Sequence, residues 1–241
     1  MEPSLLAPWS VRGWLRRQRR RFQCSPPLGW VRFGSLGGRD PISRVFGLDR
    51  GQGIDRYYID RFLTEHAHDI KGRVLEVGDR RYTRLGGEAV TRGDVLHAVD
   101  GNPQSTIVAD LASAGSLPAD AFDCMILTQT LQYIYDIRSA VRSVHAALRP
   151  GGVLLATIPC ICQISRYDMD RWGDYWRLTA RAAQRLFDEF FLPERVTVRA
   201  HGNVAAAVAF LHGLAVEDVT RNQLEHHDPD YELVVTIRAV K

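Results

Sequence analysis

Three acids stand at the ends of three successive apolar runs: Glu76, Asp100 and Asp110. The first lies in Arg73-Val74-Leu75-Glu76-Val77-Gly78-Asp79, a short β-prone run that stops at a Gly-Asp turn signal. In an α/β sheet, the loop after such a strand lets a nucleotide-like ligand approach bare backbone. Twenty-two residues past Gly78, the run Val95-Leu96-His97-Ala98-Val99 ends in Asp100. A carboxylate there can accept both hydroxyls of a ribose, because its two oxygens lie in one plane. A glycine turn followed by an acid at this spacing is a nucleoside-binding signature.

A second stretch carries chemistry of another kind. Ser165-Arg166-Tyr167-Asp168-Met169-Asp170-Arg171-Trp172-Gly173-Asp174-Tyr175-Trp176-Arg177 interleaves aromatics with acids and arginines. Such a mixture suits a polar ligand with an apolar face, such as a sugar ring, held by stacking and by paired hydrogen bonds. Asp168 and Asp170 are its candidate general bases. The plainer alternative for both is an ion pair with Arg166 or Arg171 inside the loop.

The elements that must position these residues alternate. Tyr58, Ile59, Phe62, Leu63, Ala67 and Ile70 recur at helical spacing and predict a helix from Ile54 to about Ile70. Tyr57 lies off the centre of that stripe, as a half-buried tyrosine or a ligand contact. Strands follow at 74–78, 95–99, 106–109 and 122–127. A double glycine at 86–87 breaks any long helix between the first two. Arg80, Arg81 and Arg84 in that break are solvated, or partners for a ligand carboxylate. Asp136 caps a helix from Ile137 to Leu148, and Arg149-Pro150-Gly151-Gly152 ends it. A strand at 153–158, a helix capped by Thr179, a strand at 196–198, a helix from Val204 to Leu214 and a closing strand at 233–237 complete the chain. Strands alternating with helices predict a mostly parallel sheet covered on both faces.

The stretch from Arg73 to Ile158 resembles the class I S-adenosylmethionine-dependent methyltransferases, in particular the type 11 small-molecule group. Val74-Leu75-Glu76-Val77-Gly78 is similar to the family's first motif, and Asp100 to its ribose-holding acid. Ala109-Asp110-Leu111 is similar to the segment whose acid meets the adenine amino group. The run from Phe122 to Leu131 resembles the fourth strand and the start of its helix, and Leu148 to Leu154 the turn after it. The resemblance implies a Rossmann-like sheet of seven strands, the last antiparallel, with S-adenosyl-L-methionine as cofactor. It implies cofactor contacts at Glu76, Gly78, Asp79, Asp100, Asp110, Leu111 and Gln129, with Tyr57 as a further candidate. It places the substrate over the strand ends, between the 40–58 segment, the Thr128–Tyr133 turn and the loop after the fifth strand. One departure stands out. Arg80 and Tyr82 occupy positions where the family motif carries glycine, and side chains there would crowd the methionine end of the cofactor.

Composition narrows the rest. The chain has 241 residues, 45% of them hydrophobic and 24% charged, as in an ordinary globular protein. The net charge of +3 is uneven. Residues 1–50 hold ten arginines against three acids, a net of +7; the remainder holds 21 basic against 25 acidic residues, a net of −4. Residues 1–39 read as a basic extension and linker, and 40–241 as the methyltransferase domain. The arm around Arg16–Phe22 is a solvated terminus or a weak contact for an anionic membrane surface. No apolar run reaches the roughly 18 residues of a membrane span. No signal peptide or Cys-x-x-Cys pair is present, so a reducing cytoplasm is expected, and Cys124 reads as a buried thiol in a core strand. His226-His227-Asp228 lacks a third ligand at metal spacing, so no metal is expected.

Transfer to a hydroxyl of a sugar-like or natural-product molecule is the leading expectation. N- or carboxyl-methylation, or a non-catalytic binding module, are the alternatives. Thr128-Gln129-Thr130-Leu131 stands where a base-flipping enzyme carries Asn-Pro-Pro-Tyr, which argues against a nucleic-acid substrate.

Overall fold

The computed structural model describes residues 31, 32 and 34–241. The basic arm around Arg16–Phe22 lies outside the described residues. The chain divides into two units, Met1–Asp40 and Pro41–Lys241. In the first, Gly34–Gly37 forms one turn of 3-10 helix. Everything below concerns the second.

Seven strands form one sheet: β1 Gly72–Val77, β2 Val90–His97, β3 Ile107–Val108, β4 Phe122–Thr128, β5 Leu148–Pro159, β6 Val196–His201 and β7 Val234–Val240. Their order is β3-β2-β1-β4-β5-β7-β6. β1 to β5 pair parallel, and β7 runs antiparallel to both of its neighbours. This is the Rossmann-like seven-stranded sheet that the resemblance implied.

The helices are α1 Ile54–Glu65, α2 Ile137–Ala147, α3 Arg166–Met169, α4 Ala180–Phe187, α5 Val204–Leu211 and α6 Arg221–Glu225. α1 and α5 cover one face, through Ile54, Ile59, Leu63 and Phe210. α2 and α4 cover the other, through Val141, Val144, Ala183 and Phe187. Sheet residues buried on both faces explain the near-continuous apolar runs of β4 and β5. Cys124 is wholly buried in β4, as its setting predicted. Asp136 caps α2 by accepting from the Ser139 amide at 3.0 Å, and Thr179 caps α4 through the Ala182 amide.

Three of the boundaries that differ from the sequence reading have a clear physical cause. α1 stops at Glu65, where His66 Nδ1 lies 3.1 Å from the Phe62 carbonyl oxygen, and the chain tightens into a 3-10 turn at Ala67–Asp69. β2 begins at Val90, five residues early. Its polar start is held by pairing with β1 and by Asp94, which accepts from Arg73 Nε at 2.7 Å. β5 begins at Leu148, so the Pro-Gly-Gly segment belongs to an irregular strand start and not to a free turn. Gly152 permits it, since a Cβ there would meet the Phe122 carbonyl oxygen at 3.0 Å.

Candidate active site

The carboxyl ends of β1, β2, β4 and β5 share one edge, as parallel pairing requires. Glu76, the penultimate residue of β1, is 2% exposed. Its carboxylate accepts from the Tyr82 amide (3.0 Å), the Thr83 amide (2.7 Å) and Thr83 Oγ1 (2.7 Å). Burial holds this acid above its ordinary range despite those bonds. Glu76 therefore fastens the turn after β1 from inside and does not itself face the open edge.

The turn it fastens carries Gly78 at φ +91, and no atom stands within 4 Å of where a Cβ would be. The Gly78 carbonyl accepts from Asn102 Nδ2 at 2.7 Å, which ties the turn to the loop after β2. In that loop Gly101, at φ +116, is likewise open. Asp100 beside it is exposed, with no hydrogen bond or ion pair among the described residues. Asp79 is exposed and accepts from the Arg81 amide. Asp110 accepts from the Ala112 amide at 2.8 Å, and Leu111 is buried in the core.

Neither side chain at the lost glycine positions lies over Gly78. Arg80 runs back along the sheet, with Nε 3.7 Å from a Cβ placed on Gly93. Tyr82 is buried against α1, its hydroxyl donating to Asp60 Oδ1 at 2.7 Å, and burial pushes the phenol up to about 12. The crowding expected from the sequence is relieved because both side chains leave the edge.

At the ends of β4 and β5 lies a cavity of about 440 Å³. Its walls come from the 44–48 loop, the start of α1, the turn after β4, the loop after β5, and Phe210 of α5. Gln129 enters with φ 47, its amide held by Thr157. Asp168 lines the cavity and accepts from Ser165 Oγ at 2.5 Å. Burial and the Asp168 carboxylate together push the Tyr133 phenol up, so it stays protonated. The loop is anchored by Arg177, whose guanidinium bonds both Asp174 oxygens at 2.6 and 2.8 Å.

Two candidates are displaced. Asp170 is outside the cavity, 63% exposed and 3.9 Å from Arg166, so the plain ion-pair alternative holds for it. Tyr57 points elsewhere: its hydroxyl donates to Glu225 of α6 at 3.3 Å, while Asp55 and Arg56 line the cavity. Of the loop aromatics, Tyr167 lines the cavity. Trp172 packs on His97, and Trp176 Nε1 donates to the Ile134 carbonyl.

Asp55, Gln132 and Tyr133 escaped the sequence reading. Asp55 is 8% exposed, and burial raises its carboxyl. Its signal was an acid directly beside the buried stripe of α1. Gln132 and Tyr133 lie in the turn that the resemblance had placed at this edge.

The family described as a methyltransferase domain matches residues 43–196. The chain belongs to this methyltransferase family. Its methyl donor is S-adenosylmethionine. The strand ends have room for that group: Gly78 and Gly101 are open, and Arg80 and Tyr82 stand aside. Solved structures share the fold. A methyltransferase from Mesorhizobium loti is 17% identical, with 78% of this chain and 100% of that one covered and a TM-score of 0.53. One from Archaeoglobus fulgidus is 10% identical, with 78% and 94% covered and a TM-score of 0.51. The 4+2 cyclase SpnF is also similar, at 16% identity, 80% and 83% coverage and a TM-score of 0.50. No curated protein matches the sequence significantly. Among the described residues, no helix of this methyltransferase is long and apolar enough to cross a membrane.

Proposed function

We propose that this methyltransferase transfers the methyl group of S-adenosylmethionine to a hydroxyl of a sugar-like or natural-product small molecule, with Asp168 as the general base. One observation carries the reading. Within a cavity at the ends of β4 and β5, Asp168 is fixed by Ser165 Oγ and shares the lining with Tyr133, whose phenol burial and that carboxylate push up. The cofactor supplies a methyl group on a sulfonium, whose nucleophile must be held about 3 Å away in line with the sulfur. The remainder falls to the chain. Residues 40–241 form the domain, apart from a 1–39 extension. The Gly78 turn with Asp79, the loop at Asp100, the Asp110-Leu111 segment and Gln129 hold the donor. Glu76 acts on it by fixing the turn. Asp168 takes the hydroxyl proton as the C–O bond forms. Ser165 keeps one carboxylate oxygen in place, so the other is free for the substrate. Phe46, Tyr167 and Phe210 give the cavity an apolar wall for a ring face.

The test is methyl transfer from labelled S-adenosylmethionine to a panel of hydroxylated acceptors, with binding of S-adenosylhomocysteine measured separately. Binding with hydroxyl methylation that Asp168→Asn abolishes is the expected result. Methylation confined to amines or carboxylates would replace the hydroxyl assignment. No binding of either ligand would leave a non-catalytic module.

A further inference from the structure

Gln132 carries an acceptor that nothing in the protein uses. The residue is 2% exposed and lines the cavity, and its Oε1 has no partner among the described residues. Its orientation is set from the other side. Nε2 donates to Gln129 Oε1 at 3.3 Å. Turning the amide over would aim oxygen at oxygen at Gln129. The backbone is fixed as well, since the Gln132 carbonyl accepts from the Tyr175 amide at 2.9 Å and the Trp176 amide at 3.3 Å. Buried acceptors are rarely left unpaired, and a dry one weakens whatever state contains it.

We propose that Gln132 is a specificity-determining residue whose Oε1 accepts a hydrogen bond from a second O–H or N–H of the methyl acceptor, besides the hydroxyl that Asp168 deprotonates. This rests on the reading of Asp168 as the base. Gln132 and Asp168 line the same cavity. Two acceptors in one cavity are spanned by two donors of one small molecule. The acceptor class is therefore a diol or amino alcohol, as on a sugar ring or a catechol. The two sites divide the work. Asp168 gains a proton during transfer, whereas an amide oxygen accepts without titrating and so holds the second group through the reaction. A site built to pair a substrate O–H discriminates against the analogue that lacks it.

The experiment compares kcat/KM for matched probes: catechol with phenol, 1,2-cyclohexanediol with cyclohexanol, and methyl α-glucopyranoside with its 2-deoxy analogue. Binding of S-adenosylhomocysteine is measured alongside by calorimetry. We expect the wild type to prefer at least one diol over its partner by about tenfold or more. Gln132→Met should bring that ratio near one while S-adenosylhomocysteine still binds. The ratio is insensitive to a loss of folded enzyme, so a purely structural role would leave it unmoved. Equal rates in the wild type, a preference that survives Gln132→Met, or a wild type that binds S-adenosylhomocysteine yet methylates none of the diols would each overturn the proposal. A wild type that does not bind S-adenosylhomocysteine would instead remove the methyltransferase reading, and this inference with it.

Discussion

Trp172 meets His97 edge-on, ring centroids 5.7 Å apart and planes inclined at 80°. The contact joins the loop after β5 to the end of β2. In the order β2-β1-β4-β5, such a loop must pass over the ends of β4 and β1. His97 is steadied by its Nδ1, 2.7 Å from the Val99 carbonyl oxygen. The base of the loop is secured by Arg177 and Asp174, whereas its tip is exposed: Arg166 by 74% of its side chain and Tyr167 by 67% overall.

If that crossing covers the donor, loosening it should speed the donor's exit. Trp172→Ala removes an aromatic contact of about 0.5–1.5 kcal/mol. The expected outcome is a two- to tenfold faster release of S-adenosylhomocysteine in stopped-flow fluorescence, with the melting temperature nearly unchanged. An unaltered release rate would show that the loop does not gate the donor.

Asp168 and Asp170, two residues apart, should separate sharply. Asp168 lines the cavity, whereas Asp170 lies on the surface near Arg166. Asp168→Asn should lower kcat by about 10²–10⁴, the usual range for a general base, with S-adenosylhomocysteine affinity unchanged. Asp170→Asn should leave kcat within about twofold. Equal losses in the two variants would point to loop disruption instead of base catalysis.

These two acids also mark how far a sequence can be read. Asp168 and Asp170 were equivalent as letters, and only the short α3 turn, which aims one inward and one outward, separates them. The fold was legible because β1, β4 and β5 are buried on both faces and therefore written in continuous apolar runs. β2 was placed late, because Thr91, Arg92 and Asp94 interrupt its pattern while pairing with β1 keeps it extended. α6 was missed because it is five residues long; its signal is a capping box between Thr220 and Gln223. Tyr57 went astray because about 100° of helical rotation per residue aims it at α6 while Arg56 lines the cavity. Where Tyr82 would go depended on a hydroxyl partner at Asp60, which is not local in sequence.

Glu76 provides a test of turn geometry. Its buried carboxylate accepts from two amides and one hydroxyl in the segment Tyr82–Thr83. Glu76→Ala would strand those donors, at about 1–3 kcal/mol each, although partial collapse and entering water would offset some of the loss. A net loss of about 3 kcal/mol corresponds to a fall in melting temperature of roughly 6–12 °C for a chain of this size. S-adenosylhomocysteine affinity should fall with it, because Gly78 belongs to the same turn. A variant that melts early yet binds normally would detach the turn from the donor.

His201 should make stability depend on pH in a direction fixed by its surroundings. Its ring stacks on Tyr58, with centroids 5.6 Å apart, and Nε2 lies 3.0 Å from Thr236 Oγ1. Thr236 Oγ1 donates to the Arg199 carbonyl, so it accepts from Nε2–H and the neutral tautomer is fixed. Burial lowers the imidazole from 6.5 to about 4. The unfolded chain therefore takes up a proton below pH 6.5, while the folded one stays neutral until about pH 4. Stability contributed by this residue is complete above pH 6.5 and drains away as the pH falls toward 4, by about 3 kcal/mol in all. His201→Gln retains a donor toward Thr236 and has nothing to titrate. Urea denaturation at pH 7 and pH 5 should show the wild type losing about 2 kcal/mol more than this variant across that interval. Equal losses would mean that water reaches the His201 ring in the folded state and that its burial does not hold.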